Sequence, residues 1–151
     1  MIKSNPSPRN LNNRGQALVE FAIGTIMLLM LLFGVIEIAR IFLVYTTLTN
    51  AAREGARWAI TNSTPPAPAT TPTAGTIRTG VQTVVKNFLA PGTVNINSGS
   101  LAITTTFPSS GGGTTPGNLV QVTVSYPYDV LISYYPINVT LAGTSQGVIT
   151  W

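Results

Sequence analysis

The 151-residue chain contains no cysteine and no histidine. Without cysteine it has no disulfide framework, no thiolate nucleophile and no zinc-finger spacing. Without histidine it lacks the commonest general base and metal ligand. Charge is sparse as well: 8% of residues are Asp, Glu, Lys or Arg, against about 25% in an ordinary soluble domain. Glu20, Glu37, Glu54 and Asp129 are the whole acidic inventory. Asp129 has no acidic partner nearby in sequence, so it is given no catalytic role. The three glycines at 111–113 lie between two strand patterns, not between a strand and a helix, and so are not a phosphate cradle. These shortages argue against an enzyme, a cofactor and a metal site.

Hydrophobic sequence is what the chain has in quantity. Its net charge of +4 is unevenly spread: Lys3, Arg9 and Arg14 all precede the apolar run, and from Gln16 onward five bases face four acids. Bases piled on one flank of an apolar segment orient it in a membrane with that flank inside. Nucleic-acid binding needs bases clustered on a folded face, with aromatics or a known module. Neither is present, so no nucleic-acid partner is expected.

Composition divides the chain into four zones. Residues 1–15 are polar and basic and are broken by Pro6 and Pro8. Residues 16–60 read as one long helix without a proline. Residues 61–76 are a Thr/Pro/Ala linker, and residues 77–151 form a charge-poor head. Within the helix, Leu18–Ile38 has the roughly 20 residues needed to cross a bilayer if Glu20 lies near the cytoplasmic edge. A removable secretory signal would have a shorter apolar core, of about 7–15 residues, and a small-residue cleavage site. Here Glu37-Ile38-Ala39-Arg40 follows instead, which favours a lipid-embedded anchor.

The whole helix over 16–60 would be about 68 Å long, more than twice the bilayer core, so its second half needs another cover. Ala51, Gly55 and Ala59 form one row of small residues, and Ala52 and Ala56 a second. Such rows permit close helix packing, against the chain's own head or against neighbouring subunits. Glu54 and Arg57 lie at i,i+3 spacing on a more polar flank. Glu37 and Arg40, one turn apart, fit the outer membrane–water boundary or a bridge between subunits.

The head alternates helix and strand signals. Ile77, Val81, Val84, Val85, Phe88 and Leu89 fall at helical spacing, and Pro91-Gly92 ends the pattern. Residues 101–107 and 120–126 alternate apolar with polar positions, as do 137–141, and 147–151 can supply a last strand. The expected class is α+β, with one helix packed on a small antiparallel sheet and docked to the stalk. Tyr126, Tyr128, Tyr134 and Tyr135 are expected to pack the sheet edge. Asn62 and Asn138 each open an Asn-X-Ser/Thr triplet, the glycosylation pattern, and the linker has the composition of an O-glycosylated stalk.

The sharpest signal is Arg14-Gly15-Gln16-Ala17-Leu18-Val19-Glu20-Phe21. A basic, proline-containing leader ends in glycine, the apolar helix begins at once, and a glutamate sits five residues after that glycine. A charged side chain inside a membrane helix costs roughly 2.5–3.5 kcal/mol even on lenient insertion scales. A simple anchor has no use for it. An amine created at Gln16 by cleavage after Gly15 would supply a cationic partner, from the same chain or from a neighbour in a filament.

With the Asn50-Ala51-Ala52-Arg53-Glu54-Gly55-Ala56-Arg57 stretch added, residues 14–59 resemble the N-terminal region of TadE-like proteins, pilin-like subunits of the tight-adherence pilus system. The resemblance implies cleavage between Gly15 and Gln16 by a membrane-embedded prepilin peptidase, with Arg14, Glu20 and Phe21 serving processing or assembly. It implies as partners an assembly ATPase, an inner-membrane platform, other pilin subunits and membrane lipid. The processed amine at Gln16 would be open to methylation. The location implied is the bacterial cytoplasmic membrane, with the N-terminus inside, and the cell-surface pilus. The rival expectation is an uncleaved, membrane-anchored surface protein with an adhesive head.

Overall fold

The structure is a computed structural model, and it describes residues 11–63, 72–90, 96–108, 113–130 and 139–150. Its elements are helix α1 (Leu11–Asn62), helix α2 (Ala74–Leu89), a 3-10 turn (Ser98–Ser100), and strands β1 (Ala102–Thr106), β2 (Leu119–Tyr128) and β3 (Val139–Val148). The chain divides into two compact units, one ending at Ile38 and the other beginning at Ala39.

In the first unit the helix exposes apolar side chains on every side: Leu18 is 70% exposed, Met30 71% and Ile38 69%. Helix α1 is long and apolar enough to cross a membrane. It contains no proline and runs without a break through Gly15, Gly24 and Gly34, where nothing lies within 4 Å. The expected start at Gln16 is therefore not a helix boundary, since α1 is already helical at Leu11.

The second unit is α+β. Its sheet has the order β1-β2-β3, antiparallel throughout. One face is apolar, because Val120, Val122 and Val124 alternate with Gln121, Thr123 and Ser125 and are all buried. Ile77, Val81, Val85 and Leu89 of α2 meet that face at helical spacing. Thr73 caps α2, its side chain accepting from the Thr76 amide, which starts the helix at Ala74 instead of Ile77. Thr114 Oγ1 donates to the Pro72 carbonyl at 2.8 Å and ties the start of α2 to the loop before β2.

The third strand differs from the sequence expectation. The sequence predicts two short strands, at 137–141 and 147–151; the structure has one ten-residue strand, Val139–Val148. Its middle, Leu141-Ala142-Gly143-Thr144-Ser145-Gln146-Gly147, looks like a turn because it is small and polar. Tertiary packing requires that composition. Gly143 and Gly147 lie opposite Val124 and Val120 on the inner face, where α1 passes directly over them. A methyl group on Gly143 would stand 2.5 Å from the Thr49 amide nitrogen and 2.6 Å from the Leu48 carbonyl carbon. One on Gly147 would meet Ile60 Cδ1. Glycine inside a strand here marks close backbone approach, not a break. Residues 137, 138 and 151 of the expected strands, and Tyr134 and Tyr135 of the expected edge packing, lie outside the described residues.

Candidate functional site: the N-terminal helix

Two stretches of α1 carry the sequence-predicted site, and the structure treats them differently. Gly15, Gln16, Glu20 and Phe21 are all exposed on the first unit, Phe21 at 74%. Gln16 and Glu20 are one turn apart and share a helix face with Val19 and Ile23. A carboxylate is thereby presented outward within an apolar surface, one turn from the proposed cleavage point. Arg14 is helical. Downstream, the Thr25 hydroxyl returns to the Phe21 carbonyl at 2.8 Å, so this hydroxyl is satisfied within the helix.

The second stretch is buried. Ala51, Ala52, Gly55, Ala56 and Ala59 all lie in the core of the second unit. A methyl on Gly55 would meet Val85 Cγ2 at 2.8 Å, Val81 Cγ1 at 3.2 Å and Val122 Cγ1 at 3.4 Å. Gly55 is thus covered by α2 and β2 of the same chain, and the alanines of both rows are buried in that chain's core. Trp58 lies against Gly80 with no space for a methyl between them. The order of these contacts, Gly55 with Val85 and Trp58 with Gly80, makes α1 and α2 an antiparallel pair. Arg53 and Arg57 remain exposed on the uncovered flank, with Arg53 Nη1 donating to Asn50 Oδ1 at 3.4 Å.

Sequence reading missed what Arg40 does. Its guanidinium lies 5.5 Å from the ring centre of Tyr128, which is 3% exposed. Such stacking is worth about 0.5–1 kcal/mol at an exposed site. It pins the end of β2 to α1 just past the apolar segment. Arg78 repeats the arrangement on Phe107 at 5.8 Å, while its Nε donates to the Thr105 carbonyl at 3.2 Å. From sequence alone Glu37 and Arg40 fit the outer membrane–water boundary or a bridge between subunits; only the fold brings the aromatic ring near the guanidinium.

Tyr126 is half-buried against the core. Asn62 is exposed at the end of α1, its Nδ2 donating to the Trp58 carbonyl at 2.9 Å. Asn138 lies outside the described residues. Asp129 is exposed. Among the described residues, no three of His, Cys, Asp and Glu come together as a metal site would require.

Comparison with known proteins agrees with the resemblance on one stretch. The family model described as TadE-like protein matches residues 15–57. That span runs from the glycine of the predicted cleavage point to the last arginine of the small-residue stretch. No curated protein and no solved structure matches the chain.

Proposed function

We propose that this chain is a pilin-like structural subunit of a tight-adherence-type pilus, a reading carried by the TadE-like match over residues 15–57. It is inserted in the cytoplasmic membrane with its N-terminus inside, trimmed after Gly15 by a prepilin peptidase, and assembled laterally through α1. Three upstream bases support the orientation. The fully exposed apolar surface of Leu18–Ile38 supports lipid as the first cover and helices of other subunits as the second.

The small residues at 51–59 serve the chain's own head, so contacts between subunits fall on the apolar surface before Ile38. Gly24 and Gly34 offer close approach there, with nothing within 4 Å of either. Glu20 gives the assembly its direction: exposed in apolar surroundings, its carboxylate is stabilised when the new amine of a neighbouring Gln16 reaches it. Other pilin subunits, the platform proteins and the assembly ATPase are the partners of this reading.

Intact mass with N-terminal peptide mapping on protein from the native host tests it. A chain starting at Gln16 is the expected result. A chain starting at Met1 or Ile2, in a host with active prepilin peptidase, overturns the reading and leaves a membrane-anchored surface module.

A further inference from the structure

Strand β3 is an edge of the sheet: β2 pairs with it along all ten residues, Val139–Val148, and no described residue pairs with its other side. Ile149 turns both backbone groups toward β2, its carbonyl accepting from the Gly117 amide and its amide donating to the Asn118 carbonyl, each at 2.8 Å. Alternation along the strand then turns the amides and carbonyls of Thr140, Ala142, Thr144, Gln146 and Val148 outward. Native sheets close such edges with charge, proline or a bulge. The opposite edge, β1, is treated in that way, with Arg78 Nε donating to the Thr105 carbonyl at 3.2 Å. Strand β3 has no charged residue, no proline and an unbroken register.

Two arginines stand over this open edge. Thr49, Arg53, Arg57 and Ile60 form one stripe of α1, at spacings of four, four and three residues. The ends of the stripe face β3, the Thr49 amide nitrogen at Gly143 and Ile60 Cδ1 at Gly147. Arg53 and Arg57 lie between them on the same side of the helix, and both are exposed.

We propose that β3 takes an added strand from another protein, an extended segment with two acidic side chains two residues apart that face Arg53 and Arg57. The outward amides and carbonyls select an extended peptide over a free anion. The guanidinium groups select carboxylates. Spacing fits as well: four helical residues rise about 6 Å, and alternate residues of a strand lie about 6.6–6.8 Å apart. A second copy of this chain is a poor occupant. Its β1 edge is held by Arg78. Its β3, laid antiparallel, would bring a second α1 within about 4.8 Å of the first, where packed helix axes need about 8–10 Å. Nor does any Asp or Glu of the 151 residues have another two positions away. The docking does not depend on the pilus reading.

The test uses the full chain in a zwitterionic detergent and a fluorescent Thr/Val peptide of about ten residues, the length of the edge, with two glutamates two residues apart. Anisotropy is expected to show binding. The peptide with glutamine in place of both glutamates should bind about tenfold more weakly, and so should the acidic peptide to the double variant Arg53→Gln, Arg57→Gln. Methylating alternate backbone nitrogens of the peptide, on the pairing side, should abolish binding. Hydrogen exchange should slow at Thr140, Ala142, Thr144 and Gln146 when the peptide is bound. No binding, or equal binding of the glutamine peptide, overturns the proposal. Binding that survives methylation and is displaced by inorganic phosphate also overturns it, leaving Arg53 and Arg57 as a bare anion site. Slow exchange at those four amides in the free chain would show an edge already paired and would end the proposal too.

Discussion

Gly143 lies against the backbone of Thr49, so close that a β-carbon on the glycine would stand 2.5 Å from the Thr49 amide nitrogen. Helix backbone cannot withdraw as a side-chain end can, so the strand must be bare at this point for α1 to lie on it. The same helix meets Gly147 through the outer atoms of one flexible side chain, Ile60 Cδ1 and Cγ1. Two glycines four residues apart therefore tolerate change very differently.

Gly143→Ala is expected to destabilise the second unit by about 3 kcal/mol, at the upper end of overpacking costs. Gly147→Ala should cost under about 1 kcal/mol, because Ile60 can change rotamer. Thermal unfolding followed by Trp58 fluorescence distinguishes them, with Gly24→Ala as a neutral control. Equal losses at both positions would show that α1 does not rest on β3 as described.

Trp58 of α1 lies so close against Gly80 of α2 that a β-carbon there has no room. Gly80→Ala should destabilise by about 2 kcal/mol, despite alanine's higher helix propensity. Combined with Trp58→Leu, it should add much less than that, giving a coupling of at least about 1 kcal/mol in a double-mutant cycle read by circular dichroism. Additive losses would refute the contact.

Thr105 is 6% exposed, and its Oγ1 has no hydrogen-bond partner among the described residues. A buried hydroxyl without a partner costs about 1–3 kcal/mol. Thr105→Val keeps the shape and the strand propensity, so it should stabilise the second unit by about 1 kcal/mol. A lowered melting temperature would mean that the hydroxyl is satisfied in solution.

Glu20→Ala should leave membrane insertion intact, since it removes a charge from an apolar helix, while reducing incorporation into filaments at least about tenfold. Membrane fractionation and immunoblotting of sheared pili measure the two separately. Gly15→Leu should trap a full-length form that retains residues 1–15. Normal incorporation of the first variant, or normal mature mass of the second, contradicts the role given to that residue.

The long helix and the α+β class were legible because each rests on a local rule. A stretch of 45 residues without proline, apolar on all sides up to Ile38, has few alternatives to a lipid-facing helix. Strand β2 was legible because its valines alternate cleanly with polar residues. Strand β3 was misread because Gly143 and Gly147 look like turn punctuation until α1 lies over them. The stacking of Arg40 on Tyr128 was not legible either, since 88 positions separate the two and only sheet register brings them together.

Sequence by itself thus determined that there is an apolar helix, which end of it is basic, where its lone early carboxylate stands, and which residues are small. All are properties of neighbours along the chain. Tertiary structure alone decided what the small residues are for. Ala51, Ala52, Gly55, Ala56 and Ala59 admit close approach by any partner, and composition does not name the partner. The chain's own α2 and sheet take that space, because tethering on one chain brings them there at high effective concentration. The apolar helix surface before Ile38 stays exposed.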